Sequence, residues 1–503
     1  MNKKLYLSLV FFLFTGYLMA QDISSQRMSG ALGTVTIDGK VYNQISFRPE
    51  IPIGTKMAVG LDIYLYIDGD GGLYKDAWNF KDGKSTIRTL LDKVYYFRYG
   101  QPSDDFYLRA GALPNITLGQ GILVDGYSNI MEYPTVRRVG VNLNFRKDVM
   151  SFEAIASDLK RTPGVLGLRA SFDYIPRLAI GVSLVTDMDQ NKGLMDRDSD
   201  GYPDVFDDYD DDDNLNFNND IQLATLMDAY EVEYGTIDGF DDWIESSPML
   251  EALLQNPYDP NEVDDDPVTG AALDLTFKLN DKVTLYSQFA QLMGDTDIEK
   301  PLGYTENSSL GYGFVPIGIS SAWGPVTFRA EYRQSSRKFL FNYWNRSYDI
   351  ERMTFDSVEG KYITRESQLY KYGELKGFYI QADASIMEFL HFTAGYQDMT
   401  GEMWDDASQD FVDDDNKMFR TSVRINTGKI PKVKMAEAFY QQSDVPNPFK
   451  FDPSGSTILG YDIGVEISEG VMLVYKARRT YQTLANGKLE SSTSVQFETQ
   501  MVF

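Results

Sequence analysis

Cysteine is absent from this chain, and histidine occurs once. No cysteine means no disulfide framework, no thiolate metal site, no cysteine nucleophile and no lipid-modified N-terminal cysteine. One histidine excludes any site built on two imidazoles. Basic residues are also scarce: 47 Lys and Arg face 74 Asp and Glu, a formal charge of -27. At a pI near 4.4, a nucleic-acid partner is not expected. After residue 20 there is no long apolar run, and mean hydropathy is -0.32, which excludes a polytopic helical membrane protein. Aromatics are plentiful, with 33 Tyr, 30 Phe and 5 Trp in 503 residues. That is too many for a solvated, disordered chain.

Residues 1–20 read as an export signal. Lys3 and Lys4 precede the apolar stretch LYLSLVFFLFTGYL, and Leu18-Met19-Ala20 before Gln21 reads as a cleavage site. The apolar stretch is shorter than the ~20 residues a helical span needs.

Charge is concentrated in one place. Residues 188–269 hold 25 acidic residues against Lys192 and Arg197, a net of -23, leaving only -4 for the other 421 residues. The acidic segment reads as an insertion in a nearly neutral scaffold.

The scaffold alternates. Leu166, Leu168, Ala170, Phe172 and Tyr174 fall on one face, with Gly167, Arg169, Ser171 and Asp173 on the other. Residues 325–333 and 457–467 repeat the pattern, which is that of half-exposed strands. Eighteen such segments run from 56–67 to 491–503, within a range of 16–20. Residues 21–55 are a hairpin turning at Asp38-Gly39, adding two strands, or a short periplasmic segment. Connections alternate between short turns and long loops, with 68–91, 112–134, 188–269, 335–374 and 399–416 long. All the acidic tracts fall on the long-loop side. Short turns on one side and long loops on the other predict an all-β, up-and-down transmembrane β-barrel over 56–503.

The last strand, SSTSVQFETQMVF, alternates Val495, Phe497, Thr499, Met501 and Phe503 and stops on an aromatic. Here the sequence resembles the Gram-negative outer-membrane β-barrel, or porin-like, superfamily. The resemblance implies residence in outer-membrane lipid. It also implies that Phe497, Met501 and Phe503 form a signal read by the barrel-assembly machinery.

About 18 strands leave an aqueous lumen. The alternation places Arg98, Arg109, Arg138, Arg146, Arg169, Arg329, Arg333, Arg420, Arg424, Lys476 and Arg478 inside, with Glu153, Asp173, Glu331, Asp383, Asp462 and Glu466. Two readings stand: a polar pore with a mild anion preference, or a salt-bridge network that braces the wall. The expected function is passage of small hydrophilic solutes. The alternatives are a surface-exposed adhesin or partner-binding barrel, and a plugged transporter of hydrophobic substrates.

Within the acidic insertion, DRDSDGYPDVFD spans 196–207. Alternating carboxylates in a tight turn at Gly201, with a backbone carbonyl near Tyr202, suit the six to eight oxygens of Ca²⁺. The form D-x-D-x-D-G-x-x-D-x-x-D resembles the thrombospondin type-3 calcium-binding repeat. That resemblance makes Asp196, Asp198, Asp200, Asp204 and Asp207 the implied ligands. Residues 219–255 read as short amphipathic helices that either narrow the barrel mouth or form a cap. Catalysis is not expected: His391 has no recognisable partner, and no P-loop or nucleophile elbow is present.

Overall fold

The computed structural model describes residues 28–502 except 38–39, 75–77, 82, 132–136, 160–163, 194–201, 204–206, 208–217, 219, 248–249, 251–253, 255–265, 301–303, 357–360, 387–388, 406–407, 409, 427–431, 455–456, 469–470 and 484–488. The calcium candidates Asp196, Asp198, Asp200 and Asp204, the terminal Phe503 and the export signal lie outside the described residues.

Twenty antiparallel strands form one sheet. They are β1 (Met28–Ile37), β2 (Lys40–Ile53), β3 (Met57–Leu61, resuming as Ile63–Ile67), β4 (Val94–Tyr99), β5 (Phe106–Gly111), β6 (Gly140–Lys147) and β7 (Met150–Ala156). Next come β8 (Val165–Ile175), β9 (Leu178–Asp187), β10 (Val268–Lys278), β11 (Val283–Met293), β12 (Tyr312–Trp323), β13 (Val326–Ser335) and β14 (Tyr372–Ile386). The last six are β15 (Leu390–Asp405), β16 (Asp410–Asn426), β17 (Val433–Val445), β18 (Ile458–Ser468), β19 (Val471–Thr483) and β20 (Leu489–Val502). Each strand pairs with its neighbours in sequence. β1 also pairs with β20, Ser29 opposite Val502 through Gly33 opposite Glu498, so the sheet closes into a barrel. Closure removes the edge, and with it the unpaired backbone groups that a hydrocarbon medium cannot satisfy.

The side chains are inverted relative to a globular protein. Val182 on β9 and Phe378 on β14 are 56% and 60% exposed, and Leu168, Leu184, Ile317 and Phe392 share that outer surface. On the opposite face Arg169, Ser183, Asp274 and Glu331 are buried. Leaving an aliphatic or aromatic side chain in water forfeits about 1.5–3 kcal/mol. An outer surface of such residues is stable only against acyl chains, so the barrel is a transmembrane one.

Even-numbered strands are followed by short turns, such as 148–149, 176–177 and 324–325. Asp148, Arg177 and Gly324 take positive φ there (54°, 70° and 59°), the backbone twist that two-residue hairpins require. Most odd strands lead into the longer connections; β1 and β15 do not, and are separated from the next strand by 38–39 and 406–409 alone. Residues 28–53 form the first strand pair of the barrel, which brings the strand number from 18 to 20. Residues 399–416 are not a loop. Pairing of β15 with β16 continues to Asp405 opposite Asp410. These strands of 16 and 17 residues exceed the ~9–11 that span a bilayer, so the hairpin stands beyond the membrane on the long-loop side. There its acidic residues meet water.

Asp62 divides β3. It is fully buried, its N–H bonds the Lys93 carbonyl at 2.7 Å, and its carboxylate accepts Arg48 at 3.1 Å and Arg137 at 3.0 Å. Two arginines compensate a carboxylate that the wall cannot leave unpaired.

Candidate functional site

The lumen is occupied by the chain's own segments. In the long connections 112–134 and 335–374, the described residues 112–131, 336–356 and 361–371 fold inward. Leu113, Ile116, Leu118, Leu123, Val124 and Tyr127 of the first pack with Phe339, Tyr343, Trp344, Tyr348 and Leu369 of the second. Both pack on the inward faces of Ile155, Val165, Val185, Val268, Ala272, Ala290, Leu292 and Val315. The inward faces of β7–β12 therefore carry a hydrophobic core. Such apolar content is too high for a solvated loop, and this was the available signal in the sequence. Which surface the residues would cover was not encoded locally.

The two inward segments are joined by backbone. Trp344 N–H bonds the Leu123 carbonyl at 3.0 Å, and Asn342 N–H bonds Ile122 at 2.9 Å. Gly270 on β10 leaves the space that Trp344 fills. A Cβ there would meet its ring at 2.8 Å. Polar contacts brace the segments internally, to each other and to the wall. Leu113 N–H donates to Asn129 Oδ1 at 2.7 Å, and Asn129 donates to Ser157 O at 2.8 Å. Tyr127 OH donates to Asp349 at 3.0 Å, and Tyr348 OH donates to Asp187 at 2.9 Å. Burial pushes the hydroxyls of Tyr127, Tyr343 and Tyr348 well above their ordinary range, so each remains a donor.

The same plug holds both roots of the acidic insertion. Arg352 donates to Asp187 at 3.2 Å. Gln190 donates to the Asp266 carbonyl at 2.7 Å and accepts from Tyr343 at 3.2 Å. Thr364 bonds the Asp266 carboxylate.

Most of the arginines predicted to line the lumen sit beside acids. Arg98 contacts Glu50 at 3.3 Å, Arg138 lies 3.6 Å from Asp349, Arg169 contacts Glu153 at 3.3 Å and also Asp274, and Arg424 contacts Glu437 at 2.8 Å. Asp462 takes Arg478 at 2.5 Å. Glu466, half-buried, bonds Lys432 through its backbone. Arg109 donates to Ala112 O at 2.6 Å and covers the Tyr96 ring at 4.1 Å.

One cluster borders the plug. Glu331 is buried and accepts Arg329 Nε at 2.8 Å, Arg333 Nε at 2.7 Å and Tyr286 OH at 2.7 Å. Arg329 also reaches Asp125 at 3.5 Å and the Gln120 carbonyl, both in the first plug segment. Arg333 lies 3.9 Å over the Tyr379 ring. Arg420 donates to the Tyr379 hydroxyl and to Gln381 Oε1, both at 2.7 Å. Among the described residues no carboxylate lies within ion-pair distance of Arg420, and its Nε is buried without a partner. The nearest acid in this chain of bonds, Asp383, is reached only through Gln381. Three guanidinium groups thus surround one ring, with Glu331 and Asp125 in direct contact.

The remaining candidates are dispersed. Tyr202 is half-buried and Asp207 buried. The rest of the calcium set is outside the described residues, among which no group of three metal-ligating side chains assembles. Phe497 pairs with Tyr475 and Met501 with Val471 across β19 and β20. His391 Nδ1 lies 2.9 Å from Ser385 Oγ on the paired strand.

Of residues 219–255, a helix spans Asp220–Tyr234 and another Phe240–Glu245. Their core is Tyr230, Phe240 and Ile244 with Leu223, Leu226, Met227 and Trp243, so these helices share a small interior of their own.

No protein-family model matches the chain, and no curated protein sequence matches it. Solved structures similar to it are outer-membrane proteins. OccK3 of Pseudomonas aeruginosa shares 9% identity at TM-score 0.36, covering 96% of each chain. FrpB, an iron transporter from Neisseria meningitidis, shares 9% at TM-score 0.36 over 97% of this chain and 83% of that one. Wzi of Escherichia coli, a carbohydrate-binding β-barrel, shares 13% at TM-score 0.31 over 99% of this chain and 88% of that one. At such identities and scores the likeness gives no residue a role.

Proposed function

We propose that this chain is a bacterial outer-membrane channel that passes small hydrophilic solutes between the plug and the opposite wall, with a preference for anions set at Arg420. The observation that carries the reading is the Arg420 guanidinium, which has no direct acid partner among the described residues and bonds Tyr379, the ring that Arg333 covers. A unit charge about 8 Å from a permeating ion in water is worth about 0.5 kcal/mol, or about a factor of two in permeability. In planar bilayers under a KCl gradient, Arg420→Gln is expected to lower the chloride-to-potassium permeability ratio about twofold, and Arg420→Lys to preserve it. An unchanged reversal potential in Arg420→Gln would rule out this residue as the selectivity site. A sealed barrel that presents the helices of 220–245 to a partner is the second reading, favoured by the small core they share. It predicts no steady current.

We assign Ca²⁺ to Asp196, Asp198, Asp200, Asp204 and Asp207, with the Tyr202 carbonyl, as the ion that orders the acidic loop by cancelling repulsion among its carboxylates. Calcium is expected to protect the segment 194–217 from protease, and a chelator to reverse that protection. Removing residues 195–215 should abolish the calcium effect and leave insertion intact; lost insertion would contradict a peripheral role. Export by residues 1–20, and delivery to the assembly machinery by Phe497, Met501 and Phe503, belong to the same reading. No chemistry is assigned to His391.

A further inference from the structure

Between β17 and β18, residues 446–454 and Thr457 fold outward over the barrel's exterior. The register shows why this face is the exterior. Tyr396, Phe419 and Gln442 form one cross-strand row, with the alternation that also exposes Phe392 and Phe378. The row above it is Asp398, Lys417 and Val445. There Lys417 pairs with Asp398 at 3.5 Å. These are charged side chains on the outer wall, so this row marks where the apolar belt gives way to polar medium. The loop crosses at this boundary.

Its packing is inverted. Gln442 is 1% exposed, its amide donating to Asp452 O at 2.6 Å and to Ser454 Oγ and Thr457 Oγ1 at 3.2 Å each. Phe449 and Phe451 of the same loop are 52% and 55% exposed. Water would favour the reverse arrangement, with the amide outside and the rings covered. The rings are also positioned. Phe449 lies 5.3 Å from Tyr396 and 5.1 Å from Phe419, and Phe451 lies 5.3 Å from Tyr440. Asn447 caps the short turn by accepting the Phe449 N–H at 3.0 Å, Pro448 stiffens it, and Phe451 holds a left-handed φ of 56°. A phenylalanine at positive φ is strained, and at this φ the Phe451 ring lies against Tyr440.

We propose that this loop is a membrane-surface anchor: Phe449 and Phe451 insert at the boundary between head groups and acyl chains of the surrounding lipid. The patch is continuous with the lipid-facing wall and ends at its first charged row. Aromatic side chains are favoured at that depth. The inference rests on the membrane-embedded reading of the barrel, so its test includes a position that reports on that reading alone.

The absence of cysteine makes the test direct. Single variants Val182→Cys, Phe449→Cys and Phe451→Cys of the full chain would each carry a nitroxide label in phosphatidylcholine vesicles; Val182 is exposed in an uncharged row between Ala170 and Leu273. Collisions with oxygen, which concentrates in lipid, are compared with those of a water-soluble nickel chelate. All three labels are expected to favour oxygen, with 449 and 451 at shallower depth than 182. A lipid-exposed label at 182 with water-exposed labels at 449 and 451 overturns the anchor and leaves the barrel reading standing. A water-exposed label at 182 overturns the barrel reading itself. Spin–spin broadening at 449 or 451 that vanishes on dilution with unlabelled protein overturns the anchor in favour of contact with a second copy.

Discussion

Trp344→Ala is expected to open the channel without unfolding the barrel. The indole is completely buried where the two inward segments meet, 4.9 Å from the Tyr343 ring and against Leu123 and Gly270. Truncating such a side chain costs about 3–5 kcal/mol. That cost falls on docking of the plug, because the strands of the wall are joined by their own ladder of hydrogen bonds. A loss of 3 kcal/mol raises the undocked population about a hundredfold. Single-channel conductance should rise severalfold and become noisy. Amide exchange in 112–131 and 339–356 should quicken by a similar hundredfold, while exchange in β17–β19 stays as it was. Trp344→Phe should be far milder, since it retains a ring, and the indole Nε1 that it removes has no partner among the described residues. Equal conductance in wild type and Trp344→Ala would show that the plug does not limit flow.

Thr499→Pro should abolish the folded barrel. The seam between β1 and β20 has five residue pairs, Ser29–Gly33 against Glu498–Val502, and Thr499 lies within it, between Leu32 and Leu473. Proline there removes an N–H from the ladder and bends the strand. In hydrocarbon each backbone group left unpaired costs several kcal/mol, and an open seam exposes many. The fraction migrating as the compact, heat-sensitive form in unboiled electrophoresis should fall more than tenfold. Leu489→Pro, at the first residue of the same strand, is the control. Proline is tolerated at a strand start, so this variant should fold. Normal yield from Thr499→Pro would mean that the barrel does not depend on this closure.

The architecture was readable because its signal is local. Leu168 and Arg169 have opposite environments, acyl chain and lumen, and neighbouring residues along a strand report that contrast directly. Eighteen strands, and an optional hairpin over 21–55, follow from alternation alone. The boundary errors have physical causes too. Residues 399–416 were read as a loop because Asp413–Asp415 break the apolar alternation, yet a hairpin standing in water needs no apolar stripe. Residues 112–134 and 335–374 were read as external because a loop's length says nothing of its direction.

The site was less legible. Arg329, Glu331, Arg333 and Arg420 could each be placed on the inner face. Their division into acid-contacted and acid-free groups depends on Tyr379 and Gln381 across the sheet and on Asp125 from a segment some 200 positions away. The sequence by itself determined the transmembrane barrel, its inner and outer faces and the side that carries the long connections, because solvent on each face acts on single residues. Only the tertiary structure decided that two connections turn into the lumen and a third lies on the outer wall. Tyr127 meets Asp349 across 222 residues, and a contact of that range exists only once the closed wall has brought its partners together.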